Sequence, residues 1–156
     1  YKHILVVVDA YTRFTWLRAC KSTTSREAIG HLSEIIHTFG KPREIVSDRG
    51  TAFTSVEFSN FICENKITHR KVAVAAPWAN GMAERVNRFL KNTMTKLINA
   101  ADEWKSRLGT MQYIINNTYH SVIKTTPSKL MFGFDQRCHA DFPLTQFIKK
   151  LIIKGD

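Results

Sequence analysis

The sequence has 156 residues, of which 44% are hydrophobic and 23% charged, a mixture typical of one globular domain with an apolar core of its own. No stretch approaches the roughly 20 consecutive apolar residues of a membrane-spanning helix, so we expect no membrane partner. Lysine and arginine outnumber aspartate and glutamate by 23 to 13, and the net charge of +10 favours nucleic acid as a partner over a generic basic surface.

The first half of the chain alternates strand patterns with helix patterns, which is typical of an α/β fold. The apolar run His3–Val8 predicts a strand, and the alternation over residues 14–20 predicts its hairpin partner. A capping-box pattern over residues 24–27 predicts the start of an amphipathic helix, which Gly40 ends. The short run Glu44–Ser47 predicts a further strand.

In the second half, a capping-box pattern at Thr54 and Glu57 predicts another helix, and residues 67–74 predict a strand. The turn-forming residues in 77–81 predict a loop that would act as a mobile gate ahead of a long helix. A second helix is predicted over about residues 101–119, and a short one within residues 127–133.

Cysteines and histidines give no sign of a metal site. Three cysteines, Cys20, Cys63 and Cys138, are too far apart for a zinc ribbon or a disulfide framework, which makes reduced, buried thiols the expectation. Four of the six histidines also lack metal-ligand spacing, and we interpret them as surface or internally hydrogen-bonded residues: His31, His37, His69 and His139.

Two acids stand at positions that suit chemistry. Asp48 ends a predicted strand just before Gly50, and Glu84 lies in the first turns of the long helix. Acids at such places can converge at the carboxyl edge of a sheet, where paired carboxylates suit Mg²⁺ and a two-metal mechanism of phosphoryl chemistry. From these residues alone, the alternative is a turn-capping Asp48 and a solvated Glu84.

The segments around these acids resemble motifs of retroviral-type integrases, in particular those of gypsy-type LTR retrotransposon Pol polyproteins. Residues 45–53, IVSDRGTAF, resemble the second-aspartate motif, and residues 77–88, PWANGMAERVNR, resemble the glutamate motif. Between Asp48 and Glu84 lie 35 residues, the spacing typical of this DDE family. Residues 4–9 and 126–133 are also similar to gypsy-type sequence, so the resemblance extends over residues 1–137.

The resemblance implies an α/β, ribonuclease-H-like core with a mixed sheet flanked by helices. It also implies DNA integration, by metal-dependent 3′-end processing and strand transfer of retroelement DNA into target DNA. Asp48 and Glu84 would hold two Mg²⁺ (or Mn²⁺) ions together with a third carboxylate.

We expect that third carboxylate on a strand upstream of Tyr1, and Asp9 is the alternative ligand, competing with a role in the hairpin turn. Residues 1–137 would then be a catalytic core truncated before its first strand, inactive by itself. Residues 138–156 would be a tail or the start of a linker.

The glutamate helix also carries candidate DNA contacts. Glu84, Arg88 and Lys91 share one helix face, with Asn87 beside them, so the cations could bind phosphates while the acid holds metal. The alternative is a solvated face with a Glu84–Arg88 pair. Asn80 would cap the helix or contact DNA.

The family resemblance further implies a homo-oligomer acting on retroelement ends and target DNA in the nucleus, without a small-molecule substrate. A cut-and-paste DDE transposase and a ribonuclease H are the enzyme alternatives, and the spacing and flanking sequences argue against both. The remaining alternative is a decayed or domesticated integrase-derived module that binds DNA without catalysis.

Overall fold

The computed structural model describes residues 1–72, 77–97 and 104–137. Within the helix that begins at residue 77, the described side chains are those of residues 81–94. In chain order the elements are β1 (His3–Val8), β2 (Thr15–Cys20), α1 (Ser25–Phe39), β3 (Glu44–Ser47), α2 (Thr51–Thr54), α3 (Val56–Glu64), β4 (Thr68–Lys71), α4 (Pro77–Leu97), α5 (Trp104–Asn116) and α6 (Pro127–Phe132). The chain divides into two compact units: residues 1–5 with 18–81, and residues 6–17 with the chain from 82 onward. The predicted α/β class is confirmed.

β1 and β2 form the predicted hairpin. Lys2 N donates to Cys20 O at 3.0 Å and Asp9 N donates to Phe14 O at 2.9 Å, so the two strands run in opposite directions. The turn between them closes through Arg13 N, which donates to Asp9 O at 2.8 Å. Arg13 adopts a left-handed backbone conformation there, with φ at 63°.

Helix α1 follows the predicted pattern at both ends. The Thr24 hydroxyl accepts from Glu27 N at 3.5 Å, and Gly40, with φ at 96°, donates its N–H to Ile36 O at 2.8 Å. Residues at helical spacing form the buried face: Ala28, Leu32, Ile35 and Ile36. The reciprocal half of the capping box does not form, because the Glu27 carboxylate accepts from Lys21 N and Ser22 N instead.

The predicted cap at Thr54 is wrong by one residue. A one-turn helix, α2, already occupies Thr51–Thr54, and the Thr54 hydroxyl donates back to Gly50 O at 3.3 Å. Ser55 then takes the extended conformation that a cap requires, and its hydroxyl accepts from Phe58 N at 3.1 Å. The predicted apolar face of α3 is buried as expected: Phe58, Phe61 and Ile62.

β3 and β4 are parallel and pair in the register Glu44 with Thr68 through Ser47 with Lys71. Backbone bonds extend the pairing at both ends, from Thr68 N to Arg43 O at 2.9 Å and from Val72 N to Ser47 O at 2.8 Å. The described strand is shorter than the predicted 67–74, of which residues 73–74 lie outside the described part of the chain. The described strands thus form two separate two-stranded sheets, one antiparallel (β1 with β2) and one parallel (β3 with β4).

The predicted loop at residues 77–81 is wrong, because α4 is already helical from Pro77. Proline suits the first helical turn, since its φ is pre-set and the N–H that it lacks would have no partner there. Gly81 therefore lies inside the helix, which costs about 1 kcal/mol relative to alanine without ending it.

In the second unit, α4 buries Val86, Leu90 and Thr93, and α5 buries Leu108, Met111 and Ile114. The Thr126 hydroxyl caps α6 by accepting from Lys129 N at 3.2 Å, and the helix ends at Gly133, as predicted. The predicted start of α5 near residue 101 lies outside the described residues.

Cys20 is a buried free thiol, as predicted, whereas Cys63 is exposed because it falls on the outer face of α3. Cys138 lies outside the described residues. Within the described ranges, no helix has the combination of length and apolar character that crossing a membrane demands.

Candidate active site

Asp48 follows β3 directly and is exposed. Its Oδ1 accepts a hydrogen bond from Gly50 N at 2.9 Å, which sets the carboxylate against the turn into α2. A Cβ atom at position 50 would lie 2.9 Å from that same Oδ1, so a larger residue there would make the Asp48 carboxylate shift. Among the described residues, no donor reaches Oδ2, which leaves that oxygen available to a ligand.

A short hydrogen-bond chain holds the end of β3 next to Asp48. The Ser47 hydroxyl donates to Asp48 O at 2.9 Å and lies 2.7 Å from His69 Nε2. Because the hydroxyl proton is used on Asp48 O, Nε2 is the donor to Ser47. Burial, and then the charge of Lys71, lower the pKa of His69, so the ring is neutral at neutral pH. His69 thus fits the predicted internally hydrogen-bonded class, but its link to Asp48 had no signal in the sequence.

Glu84 is the eighth residue of α4 and is exposed. The predicted companions on its face, Arg88 and Lys91, are exposed as well, and so is Asn87. The opposite face of the helix buries Val86, Leu90 and Thr93. The alternative Glu84–Arg88 pair is not formed, since the one ion pair within 4.0 Å among the described residues joins Arg70 and Glu44.

Asn80 is the fourth residue of α4, inside its first turn. The expectation that it caps this helix is therefore wrong, because the helix begins three residues earlier, at Pro77. The other candidate DNA-contacting residues, Asn87, Arg88 and Lys91, belong to the second unit together with Glu84, whereas Asp48 and Asn80 belong to the first unit.

Asp9 lies in the hairpin turn, where its Oδ2 accepts two hydrogen bonds from one residue. Thr12 N donates to it at 2.9 Å and the Thr12 hydroxyl at 2.6 Å. This is the arrangement of an aspartate that organises a turn. Its Oδ1 has no donor among the described residues.

A pocket of about 480 Å³ in the second unit was not predicted. Its wall combines apolar side chains, including Val86 and Phe89, with the cationic side chains of Arg13 and Arg85 and the ring of His120. In the described chain no carboxylate pairs with either arginine. Burial first, and then Arg85 and Arg13, lower the pKa of His120, which keeps this ring neutral. These residues are far apart in sequence, so no local pattern could reveal the pocket.

Residues 1–77 match the family described as "Integrase core domain". The Pro-Pol polyprotein of feline foamy virus is 38% identical over 143 residues, which are 91% of this chain and 12% of that relative. The chain thus spans about an eighth of the length of this relative.

Two solved structures are similar throughout most of the chain. The catalytic core domain of BIV integrase has a TM-score of 0.70 and 18% identity, and the match covers 83% of this chain and 85% of that one. The HTLV-2 integrase catalytic core domain, solved as a dimeric form in complex with magnesium, has a TM-score of 0.67 and 26% identity, covering 82% of this chain and 83% of that one. Residues 1–77 thus match the integrase core domain family, and the fold is the ribonuclease-H-like fold of retroviral integrase catalytic cores.

Proposed function

We propose that this protein catalyses DNA integration, in which water first trims the 3′ ends of retroelement DNA and the new 3′ hydroxyl then attacks target DNA. The observation that carries the proposal is the match of residues 1–77 to the integrase core domain, joined to two carboxylates open to ligands. Asp48 keeps one oxygen without a donor among the described residues, and Glu84 is exposed and not paired with Arg88.

The donor set suits Mg²⁺ or Mn²⁺ at a two-metal site. Both ions prefer carboxylate oxygens, and a DNA substrate would supply phosphate oxygens as further ligands. When bound, such ions activate the attacking oxygen and stabilise the leaving one. The magnesium in the HTLV-2 integrase core is consistent with this choice. Asp48 and Glu84 are the residues proposed to hold the ions.

A third carboxylate is part of the proposal, on a strand that precedes β1. Asp9 is the alternative candidate: its Oδ2 accepts from Thr12 in the turn, and its Oδ1 has no donor among the described residues. Residues 1–137 would accordingly be the catalytic core without its first strand, inactive by itself, and residues 138–156 a tail or linker.

The exposed face of α4 would hold the DNA backbone. Arg88 and Lys91 lie one and two turns beyond Glu84 on the same face, and Asn87 is exposed beside them. Cations beside a metal-binding acid would fix the position of a phosphate relative to the reacting atoms without reading the sequence. Asn80, earlier on the same helix, is proposed as a further DNA contact.

The remaining parts of the proposal follow the family. We infer a homo-oligomer that holds two DNA ends, in line with the dimeric form of the HTLV-2 integrase catalytic core domain. We also infer action in the nucleus and an origin in a gypsy-type retrotransposon, the latter from the motif sequences at residues 4–9 and 126–133. The competing function is DNA binding alone by a decayed or domesticated copy.

The test is strand transfer with oligonucleotides that carry the ends of the element, using a protein extended upstream of Tyr1. Glu84→Gln keeps the size of the side chain and removes its charge, so we expect DNA joining to be lost while DNA binding persists. Glu64→Gln, an exposed acid on α3, is the matched control and should join DNA normally. Unchanged joining by Glu84→Gln would exclude its catalytic role, and DNA binding without joining by the unmutated protein would establish the competing function.

A further inference from the structure

Three side chains of types that can ligate a metal meet in the first unit. Cys20 is the last residue of β2, and Glu27 and His31 lie one turn apart on α1. The Cys20 Sγ, a Glu27 carboxylate oxygen and a His31 ring nitrogen all lie within 4.8 Å of one another. Cys20 is buried, while Glu27 and His31 are half-buried, so the group is held by the fold and still reachable from solvent.

Glu27 is positioned by the chain around it. Lys21 N donates to Oε2 at 2.9 Å, and Ser22 contributes its N–H and its hydroxyl to Oε1, each at 3.1 Å. Burial alone raises the pKa of the Glu27 carboxyl, but these hydrogen bonds outweigh it and the net pKa is lowered. The group is therefore a carboxylate in a defined orientation, which is the usual condition of a metal-ligating acid.

We propose that Cys20, Glu27 and His31 form a zinc site that ties the end of β2 to the first turns of α1. One thiolate, one imidazole and one carboxylate are ligands typical of Zn²⁺, and a water molecule would complete four-coordination. Hard ions such as Mg²⁺ do not favour a thiolate, so the site differs in kind from the proposed catalytic centre. The inference is independent of DNA integration.

Binding requires the Cys20 thiol to lose its proton. Burial, and then the Glu27 charge, raise the pKa of Cys20, so without metal the thiol is protonated, and it donates to Arg18 O at 3.7 Å. Zinc replaces that proton with a sulfur–metal bond, and the proton is released to solvent. Because an unfolded chain does not present the three ligands together, zinc binding would stabilise the folded first unit.

No sequence pattern predicted this site. Only Glu27 and His31 have regular spacing, and the third ligand comes from a strand that ends before the helix begins. The interpretation of His31 as a surface or internally hydrogen-bonded residue rested on spacing alone, and spacing does not show that the turn between β2 and α1 brings Cys20 close to His31.

Cobalt is the probe, since a cobalt–thiolate bond gives a near-ultraviolet charge-transfer absorption. The protein used carries Cys63→Ser and Cys138→Ser, which leaves Cys20 as the sole thiol. Excess Mg²⁺ occupies the carboxylates of the proposed catalytic centre. We expect one equivalent of Co²⁺ to produce the absorption and Zn²⁺ to abolish it.

The deciding comparison uses two histidines of the same helix. His31→Ala should weaken Co²⁺ binding by about tenfold or more. His37→Ala, at an exposed position in the last turn of α1, should leave it unchanged. Circular dichroism verifies that both variants are folded. Absence of the absorption before mutation, or equal Co²⁺ affinity in a folded His31→Ala variant, would overturn the proposal.

Discussion

Asn116 and Thr15, 101 positions apart, are joined by two hydrogen bonds of 2.8 Å: Thr15 N donates to the Asn116 Oδ1, and the Asn116 Nδ2 donates to Thr15 O. Each residue is only 1% exposed. Four residues earlier on α5, the Gln112 Oε1 accepts from Leu17 N, also at 2.8 Å. Side-chain amides of α5 thus form hydrogen bonds with backbone N–H and C=O groups of β2, in place of the bonds that a neighbouring strand would form.

Replacing Asn116 by leucine keeps the volume and removes both hydrogen bonds. Thr15 N and Thr15 O would then be buried without partners, at a cost of about 1–3 kcal/mol for each group. We expect the free energy of unfolding, measured with urea, to fall accordingly. Asn92→Leu, at an exposed position of α4, is the control and should change it by no more than about 0.5 kcal/mol. Equal effects of the two substitutions would contradict the role given to Asn116.

Two glycine-to-alanine substitutions should have opposite consequences. At Gly50 the new Cβ would lie 2.9 Å from the Asp48 Oδ1 and displace the carboxylate, so strand transfer should fall by on the order of 10–100-fold. At Gly30, inside α1, no atom lies within 4 Å of the new Cβ, and helix propensity should raise stability by about 0.5–1 kcal/mol. Rates and urea unfolding on both variants provide the check. Full strand transfer by Gly50→Ala would show that the position of Asp48 is not critical.

Loss of a phosphate contact should appear in the salt dependence of DNA binding. Arg88→Ala and Lys91→Ala each remove one exposed cation from the α4 face. We expect each to weaken binding to unrelated DNA sequences alike and to reduce the slope of log K against log salt by about 1. Lys129→Ala, an exposed cation on α6, should leave the slope unchanged. A slope that stays constant in all three variants would remove this face from the DNA interface.

His69 should make the fold sensitive to acid. Its pKa is lowered in the folded state, so as the pH falls below about 6.5 the unfolded chain takes up the proton first. Stability is therefore full above that pH and declines as the pH falls towards the folded pKa. His69→Gln keeps a donor for the Ser47 hydroxyl and should flatten the decline, measured by urea unfolding over a pH series. An identical pH dependence of the free energy of unfolding in both proteins would refute the role given to His69.

Local patterns predicted most of the elements. The hairpin and β3 were predicted from apolar runs and alternation, whereas α1 was predicted from apolar spacing together with a capping pattern and α6 from the residues at its two ends. Residues 77–81 were wrongly predicted to form a loop because proline, asparagine and glycine are typical both of loops and of the ends of helices. The cap of α3 was predicted one residue too early for a related reason, since Thr54 and Ser55 both carry a hydroxyl that could cap this helix. Because α2 occupies Thr51–Thr54, Ser55 is the cap.

The candidate site was predictable only in its residue identities. Family motifs selected Asp48 and Glu84, but the space that Gly50 leaves for the Asp48 carboxylate depends on coordinates. Contacts such as those of Asn116 or of the Cys20 thiol join segments whose spacing follows no helical or strand period. Such contacts arise from tertiary packing, on which periodicity carries no information.

The backbone of Arg13 has a consequence for attempts to stabilise the hairpin. A left-handed conformation costs a residue with a side chain about 1–2 kcal/mol, so glycine would suit the turn better. The same substitution would strip one of two guanidinium groups from the pocket wall, along with its donation to Ala10 O and its contact with the Met82 sulfur. Selection for thermal stability alone should therefore replace Arg13 by glycine. If arginine were retained under such selection, the pocket would have a function that requires this side chain.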